Sequence, residues 1–510
     1  MTASGAPSAA ALARRPIVGP VVAIAVLVFT LLGVIAAMEW LAVHVLGAYV
    51  APSLHVAVFF VAYDLATGAV LLWAVRRRLA ADAVVTAPTL SDPAEPPAVS
   101  VLIAAYNEAG GGTERGLIAT VRGVAAQTGV RMEILVGDDG SEDDTFGEVV
   151  RAFALEESGQ GERRGTVAGV AGGAGVVVRA FRFTHAGKGA TLNALAIHAS
   201  HEVFVTMDAD TSPAAGALAH LASAFLDPQV DSAAGVVSVR NARSILTRHQ
   251  YAEYVKNSVI RIGWSTLGAL EQVPGAFAGV RASAFRAVDG FPTDSLTEDY
   301  ELTYRLVARG VALGRVPLVV TVPRAQAFTD VPVTVRGFVR QRTRWFAGFL
   351  STLFRFRHLI GARGTGGFGI VRLPLKLVDA VLPLLAFASL VVLVRGAASP
   401  ILSLSRVAIG IFLVRWLWDL FFYAAALHFA ERLGDPAHTR RLAPERWRGW
   451  LYTATEALTY VWLKHASTLR AYTWAARRVR KWEPSREGAI VLDSEGAVDA
   501  HAPPTPSAPW

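Results

Sequence analysis

Apolar residues along this chain follow two regimes. Near both ends they form long tracts, whereas between residues 98 and 350 they come in short blocks, each closed by a polar turn. Residues 17–38 carry no charge and exceed the roughly 20 apolar residues that a bilayer-crossing helix requires. A second tract covers 53–75 and ends in Arg76, Arg77 and Arg78; two more follow the middle region, at 377–394 and 407–427. Arg14 and Arg15 precede the first tract. A secretory signal has a shorter apolar core and a small-residue cleavage site, so an uncleaved anchor is expected. Positive charge at both outer ends of the first pair predicts a cytoplasmic middle region, and the Arg-rich segment 431–448 agrees. The stretch 450–474 is amphipathic and contains Glu456, Lys464 and Arg470. It predicts an interfacial or re-entrant segment, which leaves two to three C-terminal spans.

The middle blocks have a different rhythm. Residues 99–105 read as a buried strand running into Tyr106-Asn107-Glu108. A helix is predicted over 117–127, and a strand over 133–136 that delivers Gly137-Asp138-Asp139-Gly140-Ser141. A helix over 142–155 follows, then a Gly- and Arg-rich stretch, 158–175, expected to be a flexible surface insertion. A strand over 176–183, a helix over 190–199 and a strand over 203–207 ending at Asp208 and Asp210 complete the pattern. Strand and helix in alternation imply an α/β domain with a doubly wound parallel sheet, whose ligands bind at the carboxyl ends of the strands. The expected organisation is a membrane region with two helices at 1–80, a linker at 81–97 and the α/β domain at 98–350. Interface and membrane helices at 351–482 and a disordered tail at 483–510 follow.

Composition narrows the class. Of 510 residues, 53% are hydrophobic and only 18% charged, the profile of a mixed membrane and soluble protein. The absence of cysteine excludes disulfides and thiolate metal sites. The net charge of +8 comes largely from arginines at the ends of apolar tracts, so membrane orientation accounts for it and no nucleic-acid partner is expected.

Asp208 and Asp210 lie one residue apart and project the same way if the strand continues, so both can approach one hard cation, Mg²⁺ or Mn²⁺. An acidic turn capping the next helix has the same sequence. Asp138 and Asp139 suit either ordinary turn chemistry or hydrogen bonds to a base or ribose at the sheet's open edge. Lys188 offers a point charge for phosphate, and Asn193 lies a helical step further on. Glu298 and Asp299 open a helix, where they favour the helix dipole or provide a base for an acceptor hydroxyl. Gln341, Arg344 and Trp345 fall at i, i+3 and i+4 on one helix face, fit to hold a diphosphate and stack on a sugar. Arg and Trp beside a membrane also serve as interface anchors.

In this order, Tyr106-Asn107-Glu108, Asp138-Asp139-Gly140-Ser141, Asp208-Ala209-Asp210, Thr297-Glu298-Asp299 and Gln341-Arg342-Thr343-Arg344-Trp345 closely resemble the membrane-integrated inverting glycosyltransferases of family 2. That group holds the cellulose, chitin, hyaluronan and poly-N-acetylglucosamine synthases, and the last two motifs are typical of its processive members. The resemblance implies a GT-A fold, a UDP-sugar donor, a polysaccharide or oligosaccharide acceptor, a divalent metal and a multi-pass enzyme of the plasma membrane. Tyr106, Glu108, Asp138, Lys188 and Asn193 are expected on the donor side, and the resemblance places Asp139 on uridine. Asp208 and Asp210 go to phosphate and metal, Asp299 with Glu298 to catalysis, and Gln341, Arg344 and Trp345 to pyrophosphate and the acceptor end. The first strand carries Ala104 where the family often has Pro, and Trp482-Glu483-Pro484-Ser485-Arg486 is similar to the end of the poly-N-acetylglucosamine branch.

Asp64, Arg415 and Asp419 lie within the predicted spans. Ionisable groups at membrane depth either line a polar pathway or pair with one another, and Arg415 and Asp419 have the i, i+4 spacing for pairing. Two rival functions remain: a non-processive transferase that adds one sugar to a lipid-phosphate carrier, and an inactive membrane scaffold or transporter. The second predicts loss of an acidic motif, and every one is present.

Overall fold

A computed structural model describes residues 55–85, 95–110, 116–159, 161–167, 175–398, 402–433, 443–477, 481–482 and 490–491. The predicted span 17–38, most of the linker and nearly all of the tail lie outside these residues.

Helix α1 (His55–Val85) leads into β1 (Val99–Ala105), α2 (Gly116–Ala125), β2 (Met132–Asp138) and α3 (Thr145–Ala152). Val101 and Ile103 on one face of β1 and Leu102 on the other are all fully buried, as expected of a strand covered on both sides. The first face packs on Leu117 and Val121 of α2. The second packs on Leu192 and Leu195 of α4 (Lys188–His198) together with Phe204 of β6 (Val203–Asp208). Between α3 and α4 come β3 (Glu156–Gly159), β4 (Glu162–Val167) and β5 (Val176–Arg182). The stretch predicted as a flexible insertion therefore supplies an edge hairpin, with β3 and β4 antiparallel. Ion pairs Arg163–Glu157 (2.8 Å) and Arg179–Glu162 (2.7 Å) lace it together, and such charge on an edge strand discourages pairing with another chain.

After β6 come β7 (Ser212–Pro213), α5 (Ala217–Ser223), β8 (Val230–Val239), α6 (Ile245–Thr266), β9 (Phe277–Arg281), α7 (Ala282–Arg286), α8 (Glu298–Ala312), β10 (Leu318–Thr329) and α9 (Val335–Arg355). The ten-stranded sheet has the order β3-β4-β5-β2-β1-β6-β9-β8-β10-β7. It is parallel across β5-β2-β1-β6, but β9 runs antiparallel to both β6 and β8, so the sheet is mixed rather than wholly parallel. The cause is local: Phe277, the first residue of β9, pairs with Met207 at the carboxyl end of β6. The chain thus enters β9 beside Asp208 and brings residues 272–276 to the same sheet edge.

Three helical stretches among the described residues are long and apolar enough to cross a membrane: Ala57–Ala80, Phe368–Arg395 and Ser405–Leu433. They contain most of α1, α10 (Leu373–Ala397) and α11 (Leu402–Leu433). Arg415 pairs with Asp64 (3.0 Å) and with Asp419, so the three ionisable groups flagged in the sequence form one cluster joining α1 to α11. The amphipathic stretch divides into α12 (Ala443–Glu456) and α13 (Tyr460–Ala476), neither of which is among the candidate spans. Helix α13 lies along α9, where Thr343 Oγ1 donates to the Ser467 carbonyl (3.1 Å) and Ala347 packs on Ala471 and Trp474.

Candidate active site

The carboxyl ends of β1, β2, β5 and β6 meet the N-terminus of α4. There Lys188 Nζ lies 2.6 Å from Asp208 and 3.0 Å from Glu298, tying the end of β6 to the first turn of α8. Burial opposes the charge on Lys188, but Asp208, Glu298 and Asp299 outweigh it and raise its pKa. Lys188 is presented by a loop that Asp139 organises. The Asp139 carboxylate accepts from Ala186 N (2.9 Å), Gly187 N (3.0 Å) and Thr191 Oγ1 (2.9 Å). Gly187 has φ 94, in the left-handed region that glycine adopts without a steric cost.

Several residues predicted to touch the donor are thereby engaged within the protein. Asp139 holds the loop, and Asp138, 1% exposed, accepts from Ser141 N (3.2 Å). Asn193 donates to the Phe291 carbonyl and accepts from Phe291 N, both at 2.8 Å. Through this pair of bonds its amide braces the 290–292 turn. Tyr106 remains available, its ring 4.4 Å from that of His185.

Glu108, Asp208 and Asp210 form an acidic cluster. Burial, then Asp210 and Asp208, pushes the Glu108 pKa up to about 7. Burial and Asp208 raise that of Asp210 to about 6, against hydrogen bonds from Thr329 (3.1 Å) and Thr211. Carboxylates that repel one another in this way suit a cation, and an oxygen-only donor set suits a hard one. Among the described residues no group of three or more His, Cys, Asp or Glu forms a self-sufficient metal site. Mg²⁺ and Mn²⁺ can be held by one or two carboxylates with phosphate completing the shell, and Asp208 and Asp210 offer such a pair.

Asp299 is held at the start of α8, its Oδ2 accepting from Gly275 N (2.7 Å) and its Oδ1 from its neighbour Tyr300 N (2.8 Å). Burial and then Glu298 raise its pKa, with Lys188 opposing. For Glu298 burial acts upward, but Lys188 and Arg344 prevail and lower it. Adjacent carboxyl groups are thus driven apart, one stabilised as an anion and the other inclined to take a proton.

Helix α9 supplies the remaining wall. Arg344 donates to the Leu296 carbonyl (2.9 Å), and Gln341 Oε1 is buried with no hydrogen-bond partner among the described residues. The Trp345 ring lies under the Arg342 guanidinium at 4.5 Å, and Arg342 is paired with buried Glu253 (2.7 Å). One cleft of about 520 Å³ is lined by Lys188, Asp208, Asp210, Glu298, Asp299, Gln341, Arg344 and Trp345. Tyr106, Glu108, Asp138, Asp139 and Asn193 do not line it. The cleft continues to Leu382 and Pro383 of α10 and to His465 of α13, which burial, with Lys464 and Arg415, lowers to a pKa of about 3 and so keeps neutral. Sequence reasoning missed Tyr254, Asn257 and Arg261 of α6, which also line it. Their i, i+3, i+7 spacing is a polar stripe visible in the chain.

Two family models match the regions that carry this geometry. One, glycosyl transferase family 2, matches residues 100–288; the other, glycosyl transferase family group 2, matches 203–430. The chain belongs to glycosyltransferase family 2. This family 2 enzyme is similar to the poly-beta-1,6-N-acetyl-D-glucosamine synthases of Staphylococcus aureus and Staphylococcus epidermidis, at 27% identity over 263 residues. Those alignments cover 50% of this chain and 56% of the relatives, so the chain spans little more than half the length of the curated proteins it matches. Among solved structures it resembles the mannosyltransferase PcManGT from Pyrobaculum calidifontis in complex with GDP-Man and Mn²⁺. The TM-score is 0.50 with 19% identity, covering 83% of this chain and 99% of the other. That likeness shows the GT-A-like fold of this family 2 glycosyltransferase.

Proposed function

We propose that this enzyme transfers a hexose or N-acetylhexosamine, with inversion, from a UDP-sugar to a growing polysaccharide at the cytoplasmic face of the membrane, and passes the product along its spans. The observation that carries the reading is the single cleft. It joins Asp208 and Asp210 to Asp299 and to the Gln341–Arg344–Trp345 face, and it ends against α10. The likeness to the staphylococcal synthases favours N-acetylglucosamine as the sugar, and arginines flanking the apolar tracts favour the cytoplasmic orientation. In this reading Asp299 accepts the proton of the acceptor hydroxyl as its oxygen bonds to the anomeric carbon. The bond from that carbon to the diphosphate breaks, and UDP leaves with the electron pair. Lys188 and Arg344 offset the charge on the leaving group. Asp208 and Asp210 would hold Mg²⁺ or Mn²⁺, which supplies further positive charge at the diphosphate.

The test is purified full-length protein in nanodiscs, given radiolabelled UDP-sugars and GDP-mannose with Mg²⁺ or Mn²⁺. Products are sized and digested with linkage-specific hydrolases. A polymer from a UDP-sugar is expected; a short lipid-linked product would establish the single-sugar rival, and no release of nucleotide from any donor would leave the scaffold. EDTA is expected to abolish turnover, and Asp210→Ala to weaken metal-dependent UDP binding by about tenfold or more. Undiminished turnover in excess EDTA contradicts the metal assignment.

Trp345→Ala is expected to depress polymer synthesis far more than slow donor hydrolysis to free sugar, because an acceptor platform serves only the first. Arg344→Lys depresses both, since lysine cannot reproduce the paired hydrogen bonds of a guanidinium. Polymer output and UDP release on equal amounts of monodisperse protein decide this. Wild-type polymer from Trp345→Ala reduces Trp345 to a membrane anchor.

A further inference from the structure

We propose that the cleft face of α6, formed by Tyr254, Asn257 and Arg261 with Gln272 beside them, is the wall that binds the terminal sugar of the acceptor. The assignment rests on the transferase reading above and adds a binding surface to it.

Positions 254, 257 and 261 share one helix face, and all four side chains line the cleft that holds Asp299. Among the described residues none of the four side chains makes a hydrogen bond or an ion pair. The neighbouring faces of the same helix are satisfied: Glu253 takes Arg342 and Lys464, and Lys256 pairs with Glu456. The open hydrogen-bonding capacity of α6 is therefore concentrated where it borders the cleft. Half-buried polar groups left open beside a reaction centre cost stability unless a ligand completes them.

The chemistry selects the ligand. Asn and Gln offer donors and acceptors side by side, Arg five donors, and Tyr a ring face with a hydroxyl. That mixture matches a pyranose, which presents hydroxyls of both senses around an apolar ring. A second diphosphate subsite fits less well. Burial lowers the Arg261 pKa in spite of Tyr254, Glu271, Asp299 and Glu253, and those three carboxylates would repel a further anion, whereas the cations in contact with the acidic cluster and the loop beside it are Lys188 and Arg344. A neutral polyol suits α6 better than another anion.

The experiment compares full-length wild type with Arg261→Gln, Asn257→Ala and Tyr254→Phe in nanodiscs. UDP-N-acetylglucosamine serves as donor and free N-acetylglucosamine as the acceptor probe, with UDP affinity measured by calorimetry and folding by thermal melting. Loss of one or two sugar hydrogen bonds is expected to raise KM for the probe roughly tenfold, with kcat and UDP affinity changed far less. An unaltered KM for the probe in all three variants, with wild-type melting, overturns the assignment. So does a parallel loss of UDP affinity, which would place Arg261 on the diphosphate. Wild type that binds UDP but releases none from the nucleotide sugar defeats the transferase reading itself, an outcome distinct from the other two.

Discussion

Asp299→Asn is expected to slow sugar transfer by about 10²–10⁴-fold, the range for loss of a general base, while UDP affinity stays within a few-fold of wild type. The carboxylate cannot drift to another task, since backbone N–H groups of Gly275 and Tyr300 each hold one of its oxygens. Burial and Glu298 favour the protonated form, so the group has an affinity for protons that an exposed aspartate lacks. Activity should accordingly rise with pH as Asp299 deprotonates, and the acid limb of the pH–rate profile should lie above the ordinary aspartate range. The amide replacement has a second effect. Whichever way it turns, its NH₂ faces one of the two backbone donors, which costs about 1–3 kcal/mol for an unsatisfied buried group. Melting curves with and without UDP separate that local strain from the chemical defect. A strong loss of UDP binding would move Asp299 into the donor site and end the base assignment.

The second large effect concerns stability. Arg342→Met alone, or Glu253→Met alone, is expected to destabilise the protein by about 3–5 kcal/mol, because each strips a buried charge of its nearest counter-ion. Arg342 and Glu253 are 7% and 6% exposed and lie 2.7 Å apart, and Tyr460 of α13 donates to the same carboxylate. The double replacement should recover much of the loss, since it removes both buried charges and leaves Lys464, whose side chain is 32% exposed, to solvent. Burial alone would raise the Glu253 pKa, but Arg342 and Lys464 hold it at about 2. This stabilisation is therefore complete above the ordinary carboxylate range and falls away as pH drops from about 4.5 toward about 2. Arg342→Met should move the acid transition to higher pH. Equal melting temperatures for wild type and both single variants would mean that the pair contributes nothing.

Some of this architecture is written locally and some is not. Asp208 was legible because a short apolar block in an α/β rhythm ends there, and the face shared by Gln341, Arg344 and Trp345 because helical spacing is intrinsic to the chain. Asp139 was not, because its partners are backbone N–H groups in a loop whose course only the tertiary fold defines. Asn193 has the composition of a ligand contact, yet its amide matches a single backbone turn, and nothing near it in the chain indicates that turn. The reversal at β9 depends on where residues 267–276 bring the chain back to the sheet, a matter of packing rather than periodicity. Tyr254, Asn257 and Arg261 read as an ordinary polar helix face until a cleft is placed against them.

The cluster of Asp64, Arg415 and Asp419 has a consequence for how the protein is made. In the membrane arrangement proposed above, Arg415 and Asp419, neighbours on α11, enter the bilayer already paired, whereas Asp64 belongs to α1 and is synthesised long before them. At translation rates of about 5–20 residues per second, α1 must wait on the order of tens of seconds for the guanidinium that pairs with Asp64. During that interval the Asp64 carboxyl lacks its ionic partner, at a depth where an unpaired charge is costly, and in this arrangement the final seating of α1 awaits the emergence of α11. The α/β domain, encoded between the two, is therefore complete on the ribosome before the helices on which it sits can close around their shared charge.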